Sequence, residues 1–172
     1  MVVDHNFQNI KYDINKLLSC PFPAVRLDHN FENILLSWEE IVETTNKYLI
    51  NNSGIKHMER GIINYQIKKI KLQKLKPVED LLKSMYPEHY HDTDLYGSYE
   101  NSTGGFKLHD DPESTILHVQ KGEVIINVVT GSMSYVFNMK QNDMINIKKG
   151  IKHAVIGLTP RFLTSYGILS QG

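Results

Sequence analysis

Short apolar runs, each broken by a turn signal, fill the second half of the chain. They cover 115–119, 123–129, 133–139, 144–147, 154–158 and 162–169, and are rich in Val, Ile, Tyr and Phe. Between and around them lie Gly104-Gly105, Lys121-Gly122, Thr130-Gly131, Asn142-Asp143, Lys149-Gly150 and Thr159-Pro160. Six or more short strands at regular spacing predict a sandwich or barrel, not βαβ units. Residues 1–92 have a different texture and read as a mixed α/β lead-in. Ser37-Trp38-Glu39-Glu40 predicts a helix start, with Ser37 as N-cap and Glu40 closing a capping box. Ile41, Thr44 and Tyr48 continue at helical spacing. Lys76-Pro77-Val78-Glu79-Asp80 predicts a second helix, with Pro77 in its first turn and Pro87 beyond its end. Between them, 62–72 alternates loosely and predicts a strand, and Asn51-Asn52-Ser53-Gly54 predicts a loop. The expected organisation is one domain over 1–172, with its barrel core in 93–172.

At 172 residues the chain is long enough for one sizeable core and short for two. Nineteen basic and nineteen acidic residues cancel, so no global charge draws the chain to nucleic acid or to an anionic membrane. The same neutrality leaves little repulsion between copies, so a homodimer is an open expectation. A lone cysteine, Cys20, excludes an intrachain disulfide and fits a reducing compartment. With no basic, then apolar, N-terminal stretch and no run near the ~20 residues of a membrane span, the expected location is the cytoplasm.

The candidate chemistry lies in Gly104-Gly105-Phe106-Lys107-Leu108-His109-Asp110-Asp111. Residues two apart in an extended segment point the same way, so His109 and Asp111 present an imidazole and a carboxylate on one side. His153, after the Lys149-Gly150 turn, offers a third ligand. Two histidines and a carboxylate make a facial triad with open positions, which suits iron(II). A zinc hydrolase uses a similar set, so ligand type alone leaves the metal open. The competing reading is that His109 and Asp111 cap a turn. His118 falls on the opposite face by alternation and reads as a packing residue. The basic stretch 68–76 reads as a solvated face. Two Asn-x-Ser/Thr triplets, at Asn51 and Asn101, read as plain loop.

Residues 104–129 and 141–169 resemble the JmjC-type cupins, and within them the cupin-4 branch of ribosomal-protein hydroxylases. The likeness rests on the glycine-rich approach to His109 and Asp111, the strand–Gly122–strand unit, Asn142-Asp143 with its apolar strand, Gly150 three residues before His153, and Ser165-Tyr166-Gly167. It implies a mainly β, double-stranded β-helix (jelly-roll) barrel with a few N-terminal helices. It also implies a 2-oxoglutarate and iron(II)-dependent oxygenase acting on a small molecule or a protein side chain, with the metal on His109, Asp111 and His153. Two departures stand out. Lysines occupy 148 and 149 where the family has a proline. Val124 stands where relatives carry the Lys or Arg that binds the far carboxylate of 2-oxoglutarate, and a valine cannot do that.

Arg161, eight residues after His153, resembles in its spacing the 2-oxoglutarate arginine of prolyl hydroxylases and is the candidate substitute. Its competing reading is a surface arginine at a strand start. Lys107 is a second candidate cation, and Tyr99, Thr115 and Asn127 are candidate neutral partners for the ligand. The alternative function is a metal-binding cupin module that does not use 2-oxoglutarate. Other metal cupins resemble His-x-His followed by Glu, and Asp111 in place of the second histidine counts against them.

Overall fold

A computed structural model describes residues 5–20, 24–27, 32–51, 54–59, 62–101 and 103–168. In chain order the elements are α1 (His5–Ser19), β1 (Ala24–Leu27), α2 (Trp38–Ile50), β2 (Gly54–Glu59), β3 (Ile62–Ile67) and α3 (Lys76–Met85). Then come β4 (Tyr90–Ser98), β5 (Gly104–His109), β6 (Ser114–Lys121), β7 (Glu123–Thr130), β8 (Met133–Lys140), β9 (Met144–Ile147), β10 (Lys152–Gly157) and β11 (Arg161–Ile168). Two antiparallel sheets form, a seven-stranded one in the order β1-β9-β6-β11-β4-β3-β2 and a four-stranded one in the order β5-β10-β7-β8.

Alternation explains the packing. On β7 the buried residues Val124, Ile126 and Val128 face inward, where they meet Leu117, Val119, Ile145, Ile147 and Leu163 of the larger sheet. The larger sheet is buried on its other face too. There α1 and α3 press Ile14, Leu17, Val78, Leu81 and Leu82 onto Ile116, Met144, Tyr166 and Ile168. Ile41 of α2, with Ile70 and Leu75, covers Ile67, Leu95 and Phe162. The strands β6 and β11 are therefore buried along almost their whole length, because both of their faces are covered. The result is the mainly β jelly-roll barrel with N-terminal helices.

The Ser37 cap forms as the sequence predicts. Its hydroxyl accepts from the Glu40 backbone N–H at 3.1 Å, and the Glu40 carboxylate accepts from the Ser37 N–H at 2.6 Å. Pro77 sits in the first turn of α3. The strand predicted over 62–72 is shorter than expected. It ends at Ile67, because the chain turns at Lys69 with a positive φ of 57° and the Asp94 carboxylate accepts the Lys69 N–H at 2.8 Å. Within 68–76 the chain turns at Lys69, makes a short 3-10 turn at Gln73–Leu75 and enters α3 at Lys76. Part of the Asn51–Gly54 loop lies outside the described residues. The boundary at 93 is also blurred, since β1, β2 and β3 of the lead-in extend the larger sheet. Among the described residues, no helix is long and apolar enough to cross a membrane.

Candidate metal centre and its cavity

His109 ends β5 and His153 begins β10, and the register sets them directly opposite each other. Their ring centroids are 4.4 Å apart. Asp111 follows β5, and its carbonyl accepts the Gly150 N–H at 3.0 Å, which pins it to the turn preceding β10. That turn closes through Ile151 N–H to the Lys148 carbonyl at 3.1 Å with Gly150 at φ 72°, so no proline is required. The Asp111 carboxylate lies 3.8 Å from His109 Nε2 and 3.5 Å from His153 Nε2. One ligand atom from each of the three residues falls within 4.8 Å of the other two.

The tautomers are fixed locally. His109 Nδ1–H donates to the Lys107 carbonyl at 2.7 Å, and His153 Nδ1–H donates to the Ile151 carbonyl at 3.0 Å. Carbonyls only accept, so each Nε2 keeps its lone pair for the centre. Burial lowers the His153 pKa, and the neighbouring His109 adds to the effect. Both act to keep the His153 imidazole neutral, the form that ligates a metal. His153 is buried while His109 and Asp111 are partly exposed, so the cluster is open on one side. The donor set fits a divalent ion.

The three residues line a cavity of about 580 Å³ between the two sheets. Along β10 its wall runs His153, Val155, Gly157, and along β11 it runs Ser165, Leu163, Arg161. Arg161 is buried, and its guanidinium donates to the carbonyls of Glu100 at 3.1 Å, Thr159 at 3.4 Å and Gly104 at 2.6 Å. Burial lowers its pKa, partly offset by the charge of Glu100. An arginine nevertheless stays protonated. The guanidinium lies across Gly157, where an added Cβ would overlap Nε and Cζ.

No protein-family profile matches the chain, and no curated protein does. Solved structures do. The ribosomal oxygenase YcfD from Escherichia coli superposes with a TM-score of 0.69 at 12% identity, over 92% of this chain and 53% of YcfD. YcfD in complex with cobalt and 2-oxoglutarate gives 0.65 at 14% identity, over 93% and 52%. SnoN, a non-heme α-ketoglutarate-dependent epimerase from nogalamycin biosynthesis, gives 0.62 at 7% identity, over 95% and 80%. The chain has the JmjC-type cupin fold. It spans about half the length of the YcfD structures.

Within this fold, Val124 points into the apolar core and pairs across the sheet with Gly157. The Arg161 guanidinium thus arrives beside the position from which relatives would extend a cation. Lys107 lines the cavity and is exposed. Thr115 stands one step behind the wall, its hydroxyl 2.7 Å from that of Ser165. Like Thr115, two further expected ligand residues do not line the cavity. Tyr99 is turned toward α2, bonded to the Thr45 hydroxyl at 2.6 Å and packed on Phe162 at 4.8 Å. Asn127 alternates with the inward valines of β7, so it lies on the outer face and accepts the Ser134 hydroxyl at 2.6 Å. His118 is fully buried on the helix-covered face, between Asn142 at 3.1 Å and Gln120 at 3.0 Å. Asn64, Gln66 and Tyr96 line the cavity and were not foreseen. The available signal was polar alternation, Asn64-x-Gln66, inside an otherwise apolar strand.

Proposed function

We propose that the chain is a 2-oxoglutarate and iron(II)-dependent oxygenase of the JmjC cupin type, acting on a small molecule or a protein side chain. The observation that carries this reading is the pairing, in one cavity, of a His–Asp–His set with a buried arginine. His153 and Gly157, under the guanidinium, are four residues apart on β10, roughly 13 Å along a strand. His109, Asp111 and His153 would hold the ion by three positions and leave the remainder to exchangeable ligands. Arg161 would bind the far carboxylate by a two-pronged, charge-assisted contact. Leu117, Val155 and Leu163 give that stretch of the cavity an apolar lining that excludes water. Iron(II), with 2-oxoglutarate and dioxygen, supplies the oxidation of a substrate C–H bond.

One observation favours the alternative of a metal-binding module without 2-oxoglutarate: the guanidinium already donates to three backbone carbonyls. Turnover separates the two. Aerobic incubation with iron(II) and 2-oxoglutarate is expected to release succinate slowly even without substrate. The His109→Ala and Arg161→Gln variants are expected to release at least about tenfold less. Wild-type succinate no higher than the metal-free control contradicts the oxygenase reading.

A further inference from the structure

Asn64 is 4% exposed, yet its side chain lines the cavity. Its carboxamide makes no hydrogen bond to any described residue. A carboxamide offers two N–H donors and a two-lone-pair acceptor, and those of Asn64 are not sealed from solvent, so they open onto the cavity. Three described polar side chains near it are engaged. Gln66 donates to the Tyr96 hydroxyl at 3.4 Å, Tyr96 donates to Asp94 at 2.9 Å, and Glu100 accepts the Ile63 N–H at 2.9 Å.

The sheet register says what Asn64 faces. Gln66 pairs with Tyr96 and Tyr65 with Gly97, so one step further Asn64 comes opposite Ser98. Ser98 in turn pairs with Arg161. Asn64, Ser98 and Arg161 therefore form one row across β3, β4 and β11, and residues paired in this way point to the same face. Two inter-strand steps separate Asn64 from Arg161, about 10 Å between Cβ atoms. The residue between them is small, and its hydroxyl is turned away to the Ile63 carbonyl at 2.6 Å. The row closes the Gly157 end of the cavity, away from His153.

We propose that Asn64 is a second binding residue for the far carboxylate of the ligand, donating an amide N–H opposite the Arg161 guanidinium. The inference rests on the oxygenase reading. A neutral donor adds direction to the cation, which lost its usual origin at position 124. An aspartate of the same shape would instead repel a carboxylate.

The test is anaerobic calorimetry on iron(II)-loaded protein with two ligands, 2-oxoglutarate and 2-oxovalerate, which keeps the 2-oxo acid head and lacks the far carboxylate. Asn64→Ala is expected to weaken 2-oxoglutarate about tenfold and leave 2-oxovalerate unchanged. Asn64→Asp is expected to weaken 2-oxoglutarate about a hundredfold, again sparing 2-oxovalerate. Unchanged iron(II) affinity reports that each variant is folded, and Asn64→Ala decides alone if the aspartate variant does not fold. Wild-type binding of 2-oxoglutarate with no loss in Asn64→Ala, or with equal losses for both ligands, overturns this inference only. A wild type that does not bind 2-oxoglutarate overturns the oxygenase reading and this inference together.

Discussion

The guanidinium of Arg161 lies across Gly157, in the space any side chain there would claim. Gly157→Ala is therefore expected to displace it and to weaken 2-oxoglutarate about tenfold, with iron(II) affinity unchanged, by the same calorimetry. Arg161→Lys is not a rescue, because a point charge cannot reproduce the planar fork. His118 carries a separate, purely structural prediction. Burial lowers its pKa to about 4 from 6.5. Nδ1 accepts from the Gln120 amide while Nε2–H donates to Asn142, so a second proton would have to oppose a donor. Between those two pKa values the unfolded chain binds more protons than the folded one. Stability is thus expected to fall as pH drops from about 6.5 toward 4, by on the order of 1 kcal/mol per pH unit. Urea unfolding at pH 7 and pH 5 checks it: His118→Gln should show a smaller loss than wild type, and an equal loss contradicts the account. At this scale the grouping of His109, Asp111 and His153 was legible in the sequence, since His109 and Asp111 are local partners and His153 follows a turn. Asn64 was not, because only the pairing of β3 with β4 brings it to the wall.

Among the elements, the strands from β6 to β11 were legible because turn residues bound each apolar run. Alternation then put His118 on the correct face. The same rule would have placed Asn127 outside, had Val124 and Val128 been taken as the inward series. The helix α1 was passed over although Phe7, Ile10, Ile14 and Leu17 repeat at three- and four-residue spacing. Its polar neighbours mask that stripe, of which Ile14 and Leu17 pack against β6, β9 and β11. The helix α2 was read correctly because its signal is a cap, a local chemical device. Ser37→Ala removes that cap and is expected to cost about 1 kcal/mol of unfolding free energy, read from a denaturant midpoint, with iron(II) affinity unaltered. A loss of metal binding in this variant would mean that α2 positions the centre, which its packing on Phe162 and Leu95 does not suggest.

Across the whole molecule, the larger sheet works as a partition. Helices seal one face, and the smaller sheet closes the other around the cavity. The candidate metal ligands come from the smaller sheet and its turns, whereas Arg161 and Asn64 come from the larger one. A ligand spanning the two ends would bridge the sheets, which is why metal site and carboxylate site should be coupled. The most direct test is anaerobic titration of 2-oxoglutarate into iron(II)-loaded protein beside the His109→Ala variant. The account predicts saturable binding in the wild type that disappears in the variant. Iron(II) binding without 2-oxoglutarate binding in the wild type would contradict it, leaving a metal-binding cupin with another ligand.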